Sequence, residues 1–308
     1  MDTPEKKSNE CKGTMAAVGM FDGVHLGHLH LLEHLRREAA ERMLQPLVVT
    51  FSNHPLSVIA PDRAPMLLSA PEAKMLQFAV RRVAVRMIPF TSELRMLPAR
   101  DFLAMLREKW GVKAILLGFN NRFGHDAPAD FETYRALAAE EGIELVLGTE
   151  KKLEGKGSIS SSEIRRLLTQ GRIAEANAML GHPYQLQGTV EHGREIGRTI
   201  GFPTANVHPS FVSQLIPGRG VYAARALMPD GAMLPAVVNI GSRPTTGTAA
   251  DVPETIEAHL IDYSGDLYGS PITLNFIEHL RDEQRFPSLD ALAAAIDNDR
   301  RRALEILK

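Results

Sequence analysis

The rhythm of apolar and polar positions changes part-way along the chain and divides it in two. Up to about residue 147, short runs rich in Val, Ile and Leu alternate with stretches whose apolar residues return every three or four positions. The runs predict strands over 15–19, 47–51, 83–88, 114–117 and 144–147. Between them, Leu32, Leu35, Ala39 and Met43 fall along one helix face, and further helices are expected over 71–80, 99–110 and 130–141. Strands separated by helices imply a parallel sheet covered on both faces. Ligands of such sheets sit beyond the carboxyl ends of the strands, so the loop after the first strand is where chemistry is expected.

Two short helical stretches, 161–170 and 173–180, lead to Gly181, where the pattern turns to strands: 185–192, 220–227, 233–240, 255–261 and 272–280. Pro229-Asp230-Gly231 marks a turn between two of them. Strands joined by turns, without helices between them, point to a small antiparallel β-barrel. A closing helix carries Leu289, Leu292, Ile296, Ala303 and Leu307 on one face, with Ser288 as its N-cap. The expected organisation is an α/β domain over 1–182 and a β-barrel domain with a C-terminal helix over 183–308.

Composition narrows the function class. Two domains are the default for 308 residues, and 44% hydrophobic with 23% charged residues suits a soluble protein. A net charge of −2 argues against nucleic-acid binding through a basic surface. No apolar run is long enough to cross a bilayer, and the polar first residues do not read as a signal peptide. The single cysteine, Cys11, forms no internal disulfide or zinc site and is expected to be dispensable. The expectation is a cytoplasmic protein; monomer and weak homo-oligomer both remain open.

The densest chemistry lies in Gly19-Met20-Phe21-Asp22-Gly23-Val24-His25-Leu26-Gly27-His28. It follows a strand and opens a helix, with two imidazoles three residues apart, about one turn. A helix N-terminus offers unpaired N–H groups and partial positive charge, and Gly23 and Gly27 let backbone approach closely. The ligand that suits this is a polyphosphate. Thr50-Phe51-Ser52-Asn53-His54-Pro55 reads equally as a proline-stopped turn or as part of a site. At the fourth strand's end, Asn120, Arg122 and Phe123 suit a planar heterocycle and a phosphate. Ser161 and Ser162 open a helix, which capping alone would explain, and Arg165 adds a forked cation. Gly155-Lys156-Gly157-Ser158 is superficially like a Walker loop, but Glu150 stands where that loop needs glycine.

In the second half, Gly197-Arg198-Thr199-Ile200-Gly201-Phe202-Pro203-Thr204-Ala205-Asn206 combines a glycine-rich loop with two oxygens, Thr204 and Asn206, spaced to share a strand face and meet Mg²⁺ or phosphate. Downstream come Gly220-Val221-Tyr222, Asn239-Ile240-Gly241-Ser242-Arg243-Pro244-Thr245, Glu257-Ala258-His259, Asp266-Leu267-Tyr268-Gly269 and Leu280-Arg281-Asp282-Glu283-Gln284-Arg285-Phe286.

These motifs carry a resemblance. The F-D-G-V-H-x-G-H stretch and the S-S-S-E-I-R run resemble the two phosphate signatures of Rossmann-like adenylyltransferases, in the flavin-adenylating form. The G-R-x-x-G-F-P-T-A-N stretch and its followers closely resemble the signature of riboflavin kinases. Over roughly 14–307 the chain resembles the prokaryotic bifunctional riboflavin kinase/FAD synthetase family. The resemblance implies ATP phosphate contacts for Gly19, Phe21, Asp22, Gly23, His25, Gly27, His28, Ser161, Ser162 and Arg165, and flavin contacts for Asn120, Arg122 and Phe123. In the barrel it implies ATP and flavin contacts for Gly197, Arg198, Gly201, Pro203 and Arg281, Mg²⁺ at Thr204 and Asn206, and Glu257 as catalytic base. For Arg281, contact with flavin and pairing with Glu283 both stay open. Three positions depart from the pattern: Asn121 replaces a common aromatic, Ser162 a frequent threonine, and Met20 fills a variable slot.

The implied activities are phosphorylation of riboflavin to FMN and adenylylation of FMN to FAD, with riboflavin, FMN and ATP as substrates and Mg²⁺ as cofactor. Two rivals are a kinase fused to an adenylyltransferase for another acceptor, and a flavin sensor or carrier whose catalysis has decayed.

Overall fold

The computed structural model describes residues 13–118, 122–128, 130–149, 152–153, 157–192, 197, 201–211, 213–242 and 254–308. Asn120 and Arg198, both expected to touch ligand, lie outside the described residues, as do Cys11, Asn121 and Arg243. Packing divides the chain into two compact units: Met1–Pro65 with Pro71–Ser158, and Met66–Ala70 with Ile159–Lys308.

The first unit is built on β1 (Thr14–Val18), β2 (Gln45–Phe51), β3 (Ala84–Ile88), β4 (Val112–Leu117) and β5 (Glu144–Leu147), as the apolar runs predict. They form one sheet in the order β3-β2-β1-β4-β5, with every pairing parallel. The chain winds outward from β1 to β3, then restarts on the other side with β4. That reversal opens a crevice at the carboxyl end of β1. Among the described residues, six α-helices connect the strands: α1 (Leu26–Glu41), α2 (Leu56–Ile59), α3 (Pro71–Ala79), α4 (Ser92–Arg95), α5 (Ala99–Trp110) and α6 (Phe131–Glu140).

Because strand side chains alternate faces, each strand feeds two cores. Val18, Val49 and Ile115 pack with Leu103, Leu106, Tyr134 and Ala138 of α5 and α6 on one side. Ala17, Val48 and Leu116 pack with Leu35 and Ala39 of α1 and Phe78 of α3 on the other. Met43 corrects the expected face of α1: it lies past the helix end and is 58% exposed. The Leu44 N–H instead closes on the Ala39 carbonyl (2.8 Å), ending the helix. A short antiparallel hairpin, β6 (Lys152–Leu153) and β7 (Gly157–Ser158), finishes this unit.

The second unit holds α7 (Ser161–Thr169), α8 (Ile173–Leu180), β8 (Tyr184–Glu191), β9 (Ala205–Pro209), β10 (Gly220–Leu227), β11 (Met233–Ser242), β12 (Glu254–Leu260), β13 (Pro271–Arg281) and α9 (Leu289–Ile306). The strands close into an antiparallel barrel in the order β10-β11-β12-β9-β8-β13. β9 is absent from the strands expected from periodicity, because five residues ending in proline give little alternation to read. The barrel interior is filled by Tyr184, Leu186, Tyr222, Val238, Ile240, Leu274 and Phe276, all at most 1% exposed. α9 packs on the outer wall, where Ala303 and Leu307 meet Val221 and Val237. Leu289, expected on the buried face of α9, is 56% exposed; the helix docks through its later turns, where Asp299 and Ala303 are its buried residues.

The sequence expectation places a boundary at 182, whereas contacts group α7 and α8 with the barrel. Asn177 of α8 donates to the Phe276 carbonyl (2.8 Å) and accepts from the Tyr184 N–H (2.8 Å). The segment Met66–Ala70 packs there as well, with Leu67 N–H donating to Ser213 (2.7 Å) and Leu215 N–H to Leu67 (2.8 Å).

Candidate active sites

The first site grows from the end of β1. Gly19 N–H still pairs with the Val49 carbonyl (3.1 Å), after which the chain turns through a single 3-10 turn, Asp22–Val24. Phe21 (φ 49°), Gly23 (φ 75°) and Val24 (φ 41°) are left-handed, a conformation natural only for the glycine. His25 is the N-cap of α1 rather than a helix-interior residue, and its Nδ1 accepts the His28 N–H (3.3 Å). The two imidazoles stack with centroids 3.6 Å apart and planes 14° from parallel. Gly27 lies between them in the first turn.

Two stacked rings this close cannot both carry charge cheaply. The pKa of His28 lies well below 6.5, through burial first, then His25, then Lys74. Although the residue keeps some exposed surface, neighbouring atoms enclose the ring, and its Nδ1 is buried without a hydrogen-bond partner. Burial and the adjoining His25 thus favour a neutral His28 ring, which leaves one enclosed polar atom unmet.

A cavity of about 570 Å³ opens beside this turn at the strand ends. Its wall includes Gly19, Phe51, Phe90, Arg95, Arg122 and Phe123. Arg122 and Phe123, expected to meet a heterocycle, thus face the same cavity as the glycine of the first motif. Phe123 is held by Tyr134, whose hydroxyl donates to its carbonyl (2.8 Å) and accepts its N–H (3.0 Å). The second-strand motif has a structural part. Asn53 binds both main-chain groups of Phe90 (2.8 and 3.0 Å), and Thr50 donates to the Met20 carbonyl (2.9 Å).

Lys74 joins this site without a sequence motif to mark it. A lysine in the first turn of an amphipathic helix reads as solvent-facing; its only signal is Phe78 four positions on, which shares its face. It is 2% exposed and donates to Met20 and Phe51 carbonyls. Ser161 and Ser162 occupy the first positions of α7, where Ser160 is the observed N-cap, accepting the Glu163 N–H (3.3 Å). Arg165 donates through Nε to the Met66 carbonyl (2.7 Å). All three belong to the second compact unit.

The second site lies on the barrel. Asn206 of β9 stands opposite Glu257 of β12, and Glu257 stands opposite Asn239 of β11. Directly paired residues project on one face, so an amide, a carboxylate and an amide line up across three strands. Asn239 in turn pairs with Val221, which lies under α9, so this is the outer wall. Asn239 opens the Asn239-Ile240-Gly241 motif, but its place beside Glu257 comes from strand register, which sequence does not display.

Thr204 precedes β9 and, with Pro203 and Tyr268, lines a cavity of about 580 Å³. Tyr268 stacks on His192 at 3.6 Å. The Phe202 N–H closes on the Gly197 carbonyl (2.8 Å), and a Cβ on Gly197 would stand 2.2 Å from the Phe202 oxygen. No larger residue fits there. Gly201 is exposed at the end of this loop. Arg281 does not pair with Glu283 as one expectation had it: its guanidinium grips Asp299 of α9.

Comparison with known proteins joins the two sites. Residues 7–163 match the family model described as FAD synthetase, and residues 180–307 that described as riboflavin kinase. The chain is 38% identical over 296 residues to the bifunctional riboflavin kinase/FMN adenylyltransferase of Escherichia coli strain K12, covering 96% of this chain and 93% of that protein. The chain belongs to the bifunctional riboflavin kinase/FMN adenylyltransferase family. Its Bacillus subtilis relative of the same name is 34% identical over 301 residues, covering 97% and 93% of the two chains. A crystal structure described as a macrolide-efflux protein from Streptococcus pneumoniae superposes with a TM-score of 0.81 at 26% identity, covering 94% of this chain and 93% of that one. That description is of the S. pneumoniae protein; here, among the described residues, no helix is long and apolar enough to cross a membrane.

Membership as a riboflavin kinase/FMN adenylyltransferase decides between the readings left open by the motifs. The adenylyltransferase half matches FAD synthetase rather than an enzyme for another acceptor. Both halves match families named for enzymes, FAD synthetase and riboflavin kinase, rather than a flavin sensor or carrier.

Proposed function

We propose that this bifunctional enzyme divides its work by signature, with riboflavin phosphorylated on the barrel and FMN adenylylated at the carboxyl end of the parallel sheet. The observation that supports the assignment is a pair of separate cavities, one lined by Gly19 and Met20 at the start of the first motif and the other by Pro203, Thr204 and Ala205 at the end of the second. His25, His28, Asn206 and Glu257 are assigned by motif and lie outside both linings. In the first reaction the terminal ribityl hydroxyl attacks the γ-phosphorus of ATP, giving FMN and ADP. Glu257 accepts the hydroxyl proton, with Asn206 and Asn239 flanking it. Gly197, Gly201 and Pro203 form the nucleotide loop, with Arg198 assigned by motif. Thr204 and Asn206 offer neutral oxygen donors of the kind Mg²⁺ accepts when phosphates complete its shell. The ion would neutralise charge on the transferred phosphoryl group. Among the described residues there is no cluster of acidic, histidine or cysteine side chains that would suit a dedicated metal cage.

In the second reaction a phosphate oxygen of FMN attacks the α-phosphorus of another ATP, and pyrophosphate leaves. That nucleophile is already an anion, so the protein's task is orientation and charge stabilisation. His25 and His28 serve as donors to the phosphates, with Gly19, Phe21, Asp22 and Gly23 of the preceding turn and Gly27 of α1. Ser161, Ser162 and Arg165 are assigned to the same phosphates by motif. Arg122 and Phe123, with Asn120 by motif, receive the flavin. ATP as shared substrate suits a cytoplasmic enzyme working on small molecules rather than on nucleic acid or membrane.

Purified protein mixed with riboflavin, ATP and Mg²⁺, with products separated by chromatography, tests the reading. FMN followed by FAD, both stopped by a chelator, is expected. FMN accumulating without FAD overturns the assignment of the sheet's cavity.

A further inference from the structure

Lys74 is buried, and its Nζ donates to two main-chain carbonyls, Met20 at 3.1 Å and Phe51 at 2.6 Å. Phe51 is the last residue of β2, and Met20 lies just past β1. Enclosing an ammonium is costly, and a position beside Phe78 in the core would favour an apolar side chain on stability grounds alone.

What this ammonium holds is a strained turn. Phe21 and Val24 both have left-handed φ, a true outlier for β-branched Val24. Such a conformation persists only where its surroundings over-determine it. Thr50 and Lys74 both donate to the Met20 carbonyl, and the Val24 N–H closes on Phe21 (3.2 Å). From the same face of α3, Phe78 meets the Phe21 ring edge-on at 5.7 Å, and that ring lies 5.1 Å from His28. Lys74 and Phe78 thus support, side by side, the turn that delivers the histidine pair.

We propose that Lys74 is a positioning residue for adenylyl transfer, clamping the turn over residues 20–24 to the end of β2 and so fixing the stacked His25 and His28. The proposal rests on the phosphate-binding role given above to those histidines. Asp22 of the turn and His28 of α1 are the titratable groups that face Lys74; the end of β2 brings only the Thr50 hydroxyl and the Phe51 carbonyl. Burial lowers the Lys74 pKa to about 8 against the pull of Asp22. The clamp is therefore a cation at neutral pH and loses its charge above about pH 8.

The test is conversion of FMN and ATP to FAD by the full-length protein across neutral to alkaline pH, for wild type, Lys74→Met and Lys74→Arg. Wild-type kcat should fall with a midpoint near pH 8. Lys74→Met should lose roughly 10- to 100-fold in kcat, with little change in the FMN KM, and should lack that alkaline limb. Lys74→Arg, permanently charged, should retain part of the rate and move the limb upward by about one pH unit or more. A Lys74→Met rate equal to wild type, or an alkaline midpoint unchanged in either variant, overturns the proposal. If circular dichroism shows Lys74→Met unfolded, the midpoint in Lys74→Arg decides. A wild type that makes no FAD from FMN overturns the underlying site assignment, and this proposal with it.

Discussion

Arg281 and Asp299 form a two-pronged ion pair between the end of β13 and α9. Arg281 Nε lies 3.0 and 3.2 Å from the two carboxylate oxygens, and Nη2 lies 2.8 Å from one of them. Asp299 is 1% exposed, so removing the arginine strands a buried carboxylate. Arg281→Ala should cost about 3–5 kcal/mol, read as an earlier denaturant midpoint for loss of kinase activity. Replacing both partners with apolar residues of similar size should recover most of that loss. Unchanged stability with a raised KM for riboflavin would instead make Arg281 a flavin contact.

Glu257 stands between two amides on neighbouring strands, a setting in which the side-chain shape can be kept while the basic oxygen is lost. Glu257→Gln should reduce FMN formation by roughly 10²–10⁴-fold. FAD formation from supplied FMN should continue, because that chemistry is assigned to the cavity of the parallel sheet. Both rates come from one preparation by feeding riboflavin or FMN. Loss of both activities in a folded protein would contradict two independent sites.

The parallel sheet was legible because its strands are apolar runs broken only by single polar residues such as Arg86 and Lys113 and its helices are amphipathic, and Glu144–Leu147 was placed to the residue. Ligand chemistry was legible where it is local: the His25–His28 spacing puts the two rings within reach of each other, His25 as N-cap and His28 in the first helical turn. Four features were not. β9 is too short to alternate, and Asn239 gains its place only through barrel register. Lys74 is buried by tertiary packing that overrides the usual habit of lysine. Arg281 had two plausible partners near in sequence or in ligand chemistry, while the observed one arrives from a helix eighteen residues on.

His28 gives a pH prediction with a definite sign. Its folded pKa lies well below 6.5, so the folded form disfavours the proton that the unfolded chain accepts. The stability this group contributes is complete above about pH 6.5 and is lost as pH falls further. Thermal unfolding of the first unit should therefore move to lower temperature between about pH 7 and 5. His28→Gln should flatten that decline while lowering FAD formation. A polyphosphate bound at the ring would favour its protonation, so an ATP analogue should oppose the acid loss in wild type and not in His28→Gln. Equal acid slopes in the two proteins would contradict an enclosed neutral ring.

Where the barrel domain begins has energetic consequences. A fragment over 183–308 would lack α7 and α8, whose buried faces carry Ile164, Leu167 and Leu168, and Ile173, Ala176, Met179 and Leu180. It would also leave the Tyr184 N–H and the Phe276 carbonyl without their Asn177 bonds. In the full chain, Asn177→Ala should cost about 1–3 kcal/mol by stranding those groups. A fragment over 159–308 should accordingly melt higher and hold more riboflavin kinase activity than one over 183–308, with both still below the full chain because neither includes the Leu67 pairing to Ser213 and Leu215. Equal melting and equal kinase activity for the two fragments would place the functional boundary at 182 and reduce α7 and α8 to a passive connection.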